Sequence, residues 1–221
     1  MILGIDTSIG TAVAIVDPAG AVRAEAVSGD ARGHAEVIGD LLARALSQAG
    51  IRAADITAVA AGMGPGPFTG LRVGIAAARA FALGRGIPVV AVASHDAAAL
   101  ERTHPTGDED GVGAAVEGEH FAIVTDARRR ELAVSVYRVE DGAPVRVAEP
   151  RLVLRASADT VDPLGFPAAR LPETTGISAV ALARIAASRL RAGTADVSAI
   201  EPLYLRAPDV TVPAGPKKVG T

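Results

Sequence analysis

Residues 62–74 read GMGPGPFTGLRVG, with five glycines and two prolines placed between an apolar run and a helix-like run. Glycine at a strand-to-helix junction ordinarily suggests a loop that wraps phosphate, and such loops work by presenting backbone N–H groups. Pro65 and Pro67 have none to present. The sequence patterns fail as well. No lysine occurs between residues 1 and 216, which removes G-x-x-x-x-G-K-[ST]. G-x-G-x-x-G also fails, since the sixth residue from Gly62 is Pro67 and from Gly64 is Thr69. The alternating Gly-Pro pairs instead make a rigid, donor-poor bend that fixes how a helix leaves a strand. Beyond it Gly70, Gly74 and Ala78 recur at i, i+4 and i+8 beside Leu71, Ile75 and Ala82. That nearly bare stripe lets another element approach closely. Two readings stand: packing on the protein's own sheet, or one face packing inward while the other docks a partner's helix.

Around this junction the periodicity changes repeatedly. Ile2–Ile5, Thr11–Val16 and 21–27 read as three strands in a meander, with a polar turn at Asp6-Thr7-Ser8. Residues 34–48 switch to helical spacing through Val37/Ile38, Leu41/Leu42 and Ala45/Leu46, and Gly50 closes the helix. Residues 56–61 and 88–93 are short apolar runs of the buried-strand type. Thr69 is the expected N-cap of a helix to about residue 84, and Ser94 of a short helix over 96–102. The polar stretch 104–118 marks a boundary, giving an N-terminal lobe at 1–103 and a smaller C-terminal lobe at 104–221. In the second lobe 121–126 and 131–139 form a hairpin around Arg128-Arg129-Arg130, 151–154 a further strand and 178–191 a helix. The tail from about 208 is loose or packs back on the first lobe. The order predicts a two-lobed α/β chain with mixed sheets.

Composition narrows the function. A 49% hydrophobic, alanine-rich chain with only 3% aromatic residues predicts a folded core built from small side chains. Zero cysteines exclude disulfides, thiolate metal sites and cysteine nucleophiles. A net charge of -3 lacks the footprint of an autonomous nucleic-acid binder. The start, MILGIDTS, has no basic n-region, and no run is long enough to span a bilayer, so a cytoplasmic protein without membrane association is expected.

Asp6-Thr7-Ser8, followed by Gly10-Thr11, has the layout of the first phosphate loop of actin-like ATPases, although the same residues form ordinary Asx turns. Taken together, MILGIDTS, GPGPFTGLRVG, AAARAFALG, IPVVAVASHDAAAL and DARRRELAVSVY resemble the TsaB family closely. IEPLYLR at 200–206 is similar to that family's C-terminal signature. TsaB is the dimerisation subunit of the bacterial machinery that makes tRNA threonylcarbamoyladenosine (t6A).

The resemblance implies an actin-like (ASKHA) fold of two RNase H-like lobes. It implies as partners the catalytic paralogue TsaD and the ATPase TsaE, with tRNA reached only through the complex, and a non-catalytic role without a cofactor. The catalytic paralogue carries H-x-x-x-H after the corresponding strand, where two histidines on one helix face chelate a metal. Here His95 is followed at +4 by Ala99, His34 by Ile38 and His104 by Asp108, so no local metal pair is present and no metal site is assigned. The expected partner interface is the helix pair 34–48 and 69–84, through Leu41, Gly70, Leu71, Arg72, Gly74 and Ala78. Asp6, Thr7 and Ser8 are the candidate remnant nucleotide loop. A homodimer through the same face is the expected association when the chain is alone. Two other classes compete with the scaffold: a glycoprotease-like metallopeptidase and an independent actin-like ATPase using Asp6.

Overall fold

The computed structural model describes residues 1–29, 33–104, 114–156, 173–197 and 201–206. Strands β1 (Ile2–Asp6), β2 (Thr11–Val16), β3 (Val22–Ser28), β4 (Ala58–Gly62) and β5 (Val89–Val92) form one sheet in the order β3-β2-β1-β4-β5. The short turn after β1 allows only an antiparallel return, so β1 pairs antiparallel with β2. Helices α1 (His34–Ala49) and α2 (Phe68–Arg85) supply the crossovers that let β1, β4 and β5 run parallel.

This mixed sheet is covered on both sides, which is why β1, β2 and β4 are buried throughout and apolar at all but Asp6 and Thr11. Leu3, Ile5, Val13, Ile15 and Val59 face α1 and α2. Ile2, Ala12, Ala14, Ala58 and Ala60 face α3 (Ser94–Thr103) and α4 (Ala179–Ala192). Helix α4 presents Ala179, Ala183, Ala186 and Ala187 to that face and sits very close to it. A Cβ at Gly4 would run into the Ala179 carbonyl. Small residues on both partners thus replace the bulky aromatics that the composition lacks.

The second sheet is an antiparallel β6-β7-β8 ribbon: β6 (His120–Asp126), β7 (Glu131–Glu140) and β8 (Ala143–Leu154). Strand β8 begins at Ala143 instead of the expected residue 151. Asp141-Gly142 makes the hairpin turn in the left-handed region, with φ of 53° and 72°. Pro144 and Pro150 are tolerated because β8 lies on the sheet edge, and the β7–β8 pairing shifts register between Val134 and Tyr137. The lobes are also less sequential than the boundary at 104 suggests, since α4 packs on the first sheet. Residues 201–206 return there too, the Leu203 N–H donating to the Met63 carbonyl at 2.7 Å. The tail from 208 lies outside the described residues.

Two of the expected caps fall elsewhere. Helix α2 starts at Phe68 with Pro67 as its N-cap, two positions before Thr69, because the fixed φ of proline already sets the entry angle. Helix α3 starts at Ser94 itself, and no side chain caps it. The Ser94 hydroxyl is committed to Asp6. The next two residues join the sheets. The ring of His95 is fully buried, with Nδ1 2.7 Å from Ser135 Oγ on β7 and Nε2 2.9 Å from Thr125 Oγ1 on β6. Asp96 accepts from Tyr137 Oη at 2.9 Å, from Arg146 at 2.7 and 2.9 Å, and from Arg189 of α4 at 3.4 Å.

Burial, helped by the charge of Arg146, pushes the His95 imidazole down to about 3, so it is neutral in the fold. A group whose folded pKa is depressed stabilises the fold above its unfolded pKa, about 6.5 for histidine, and loses that contribution as pH falls toward the folded value. Urea unfolding at a series of pH values is therefore expected to show wild type losing more stability than His95→Gln between pH 7 and pH 4. A pH-independent difference between the two proteins would contradict the assignment.

Candidate functional site

At the end of β1 the Asp6 carboxylate is buried and saturated with donors. Its Oδ1 accepts from the Ser8 backbone N–H at 2.8 Å and from Ser8 Oγ at 2.6 Å, closing an Asx turn. Its Oδ2 accepts from Ser94 Oγ at 2.5 Å, and Ser94 Oγ in turn accepts from the Gly64 N–H at 3.0 Å. Burial raises the Asp6 pKa, opposed by the hydrogen bonds from Ser8 and Ser94. Thr7 is buried as well, its hydroxyl donating to the Gly70 carbonyl at 2.7 Å and accepting the Gly74 N–H at 3.1 Å.

The glycines explain how the loop can be so enclosed. A Cβ at Gly62 would strike the Asp6 carboxylate, one at Gly66 would lie 2.8–2.9 Å from Ser8, and one at Gly74 would strike Thr7. At Gly70 it would lie 2.6 Å from the Thr7 carbonyl and 3.1 Å from His34 Nε2. Each distance is shorter than van der Waals contact. The Gly-Pro loop and the first turns of α2 therefore lie directly on the Asp6-Thr7-Ser8 turn. His34 completes the enclosure, with Nδ1 2.9 Å from Thr11 Oγ1.

This placement settles the small-residue stripe. Gly70, Leu71, Gly74 and Ala78 are buried within the chain, and so is Leu41 of α1, which packs beside Leu71 and Ile75. These five expected interface residues face inward because the stripe is used by the β1 turn and the sheet. Arg72 alone of the six is exposed. The outward faces of the same helices carry other residues: Ala35, Gly39 and Ala43 on α1, and Ala76, Ala80 and Leu83 on α2, with Leu83 85% exposed.

A second feature escaped the sequence. Between the lobes lies a cleft of about 360 Å³, walled by the Pro65–Phe68 loop, the β6–β7 turn at 126–129 and the strap 204–206. The strap is held at both ends. Tyr204 packs on Phe68 with ring centroids 4.4 Å apart and accepts from Arg72 Nε at 3.0 Å, while Arg206 pairs with Glu131 of β7. The IEPLYLR stretch was visible as a motif, but its contact with residue 68 has no local signal. Among the described residues, no three His, Asp or Glu side chains gather into a cluster that could hold a metal. Nor is any described helix long and apolar enough to cross a membrane.

The family model for TsaD, tRNA N6-adenosine threonylcarbamoyltransferase, matches residues 22–143, more than half of the chain. An uncharacterized protein of Mycobacterium tuberculosis is 38% identical over 194 residues, covering 85% of this chain and 82% of that one. A tRNA N6-adenosine threonylcarbamoyltransferase of Streptococcus pneumoniae is 49% identical over 61 residues, which are 28% of this chain and 18% of that protein. Among solved structures, YeaZ from Pseudomonas aeruginosa superimposes with a TM-score of 0.72 at 24% identity, covering 92% of this chain and 99% of that one. That last likeness carries the fold, the two-sheet actin-like architecture. The chain belongs to the family that the TsaD model describes.

The Asp6 geometry separates two substitutions. Asp6→Ala leaves the Ser8 N–H unpaired and two hydroxyls without their acceptor, at a cost of about 1–3 kcal/mol for each buried group left unsatisfied. Asp6→Asn keeps an acceptor for Ser8 and is expected to be much milder. Because the folded pKa of Asp6 is raised, its ionisation costs stability as pH climbs above the ordinary carboxylate range. Denaturant melts should therefore rank Asn above Ala at every pH, with Asn gaining on wild type between pH 4 and pH 8. An Ala variant as stable as Asn would contradict the enclosed geometry.

Proposed function

We propose that the chain is a non-catalytic subunit that docks TsaD and, with TsaE, supports transfer of the threonylcarbamoyl group to N6 of the tRNA adenosine 3′ of the anticodon. The observation that carries this reading is the enclosed first loop. In an actin-like protein that turn is where phosphate would be handled. Here Gly62, Gly66, Gly70 and Gly74 bring backbone onto it, and the Asp6 carboxylate is spent on Ser8 and Ser94. A catalytic or ATPase reading would need that carboxylate exposed to a substrate. Family membership supplies the reaction, and the scaffold supplies the role left to a chain whose loop is filled.

The docking surface follows from the outward faces of α1 and α2. Gly39 has open space over its Cα, with Ala35 and Ala43 one turn to either side. Ala76, Ala80 and Leu83 present a matching low apolar ridge on α2, flanked by Arg72. Small residues on exposed helix faces admit close helix–helix packing by a partner of similar shape. A second copy of this chain competes for the same faces through an isologous contact.

Gly39→Arg and Ala80→Arg place a bulky charge on these faces without entering the core. Each is expected to keep the wild-type melting temperature within a few degrees. Each is also expected to weaken capture of purified TsaD by about tenfold or more, read by co-purification and calorimetry. TsaD binding unchanged in both variants would remove the proposed interface.

A further inference from the structure

The interlobe cleft is unused by the scaffold role, and its chemistry is unlike the rest of the molecule. The chain as a whole carries a net charge of -3, yet the cleft is lined by Arg72, Arg128, Arg129 and Arg206 against the single carboxylate of Asp126. Glu131 pairs with Arg206 from behind, and Asp126 is already shared between Arg128 and Arg155. A concave wall on which arginines outnumber carboxylates favours an anion. The opposite wall is poor in backbone donors, because Pro65 and Pro67 have no N–H. It offers flat apolar surface instead, from the two prolines and the Phe68–Tyr204 pair.

The β6–β7 turn adds an independent sign. Arg128, Arg129 and Arg130 all lie in the left-handed region, with φ of 63°, 53° and 63°. That conformation costs a side-chain-bearing residue about 1–2 kcal/mol relative to glycine. Three successive arginines there make sense where their guanidinium groups are needed, and the Arg128 side chain is 60% exposed.

We propose that the cleft binds an unpaired nucleotide of an RNA strand, its base against the proline and aromatic wall and its phosphate on the arginine turn. Single-stranded RNA is recognised by that combination of flat side chains and forked cations. A cavity of about 360 Å³ admits one extruded residue and excludes a duplex. The identification of RNA, as opposed to another anion, rests on the family reading given above.

Fluorescence anisotropy of a short labelled single-stranded oligoribonucleotide against the full chain tests this directly. Wild type is expected to bind with an affinity that falls as salt rises. Arg128→Glu and Tyr204→Ala are each expected to weaken binding by about fivefold or more, with melting curves confirming that both stay folded. Undiminished binding in both variants, equal binding of a duplex of the same sequence, or displacement by 5′-AMP at concentrations equal to the oligonucleotide would each overturn the proposal. The two readings fail separately. Arg128 lies on the β6–β7 turn and not on α1 or α2, so TsaD capture by Arg128→Glu tests docking while the RNA titration tests the cleft.

Discussion

Three consecutive residues at the start of α3 hold the molecule together. Ser94 reaches back to the Asp6 carboxylate at the end of β1, His95 bridges β6 and β7, and Asp96 gathers Tyr137, Arg146 and Arg189. The first contact fixes the β1 turn, the second and third fix the second sheet on the first, and the last fixes α4 as well. Each group is buried or half-buried and each is satisfied by hydrogen bonds, the condition under which polar groups specify an arrangement instead of destabilising it. Removing Asp96 itself takes the nearest carboxylate from the partly buried Arg146, which costs more than the pair contributes. The one histidine of α3 is thereby committed to joining the sheets.

Small side chains make the hub possible. The Gly-Pro loop can lie on the Asp6 turn only because Gly62 and Gly66 lack a Cβ, and α2 can follow it only because Gly70 and Gly74 do. The same economy recurs on the other face, where alanines of α4 settle onto Gly4, Ala12 and Ala14. Close backbone approach substitutes for large aromatic burial in a chain with few aromatics. The cost is intolerance: at these glycines even a methyl group has nowhere to go. A loop enclosed in this way is held in one position by its neighbours.

Much of this was legible in the residues. The switch from alternation to helical spacing located α1, and the buried-type runs located β4 and β5, because a sheet covered on both faces writes itself as continuous apolar sequence. The donor-poor Gly-Pro loop was readable as architectural from proline chemistry alone. The direction of the glycine stripe was not. Gly70 and Gly74 look the same in sequence whether they admit a partner's helix or Thr7, and only the fold brings residues 7 and 74 together. Ser94 looked like a cap because serine before a helical run usually is one, and its long-range acceptor carries no local signal. Strand β8 reads as a strand only over 151–154, and its earlier part holds Pro144 and Pro150, which a sheet edge tolerates. The cleft joins residues 65–72, 126–129 and 204–206, which no periodicity connects.

In the role proposed above, the Asp6 turn is structural and the chain works by holding a partner. Reconstituted tRNA modification with TsaD, TsaE and the Asp6→Asn form of this chain separates that role from chemistry at Asp6. The variant, once shown to be folded and to bind TsaD, is expected to restore threonylcarbamoyladenosine formation at the wild-type rate. A folded, TsaD-bound Asp6→Asn chain that restores none would contradict it and return chemistry to the carboxylate.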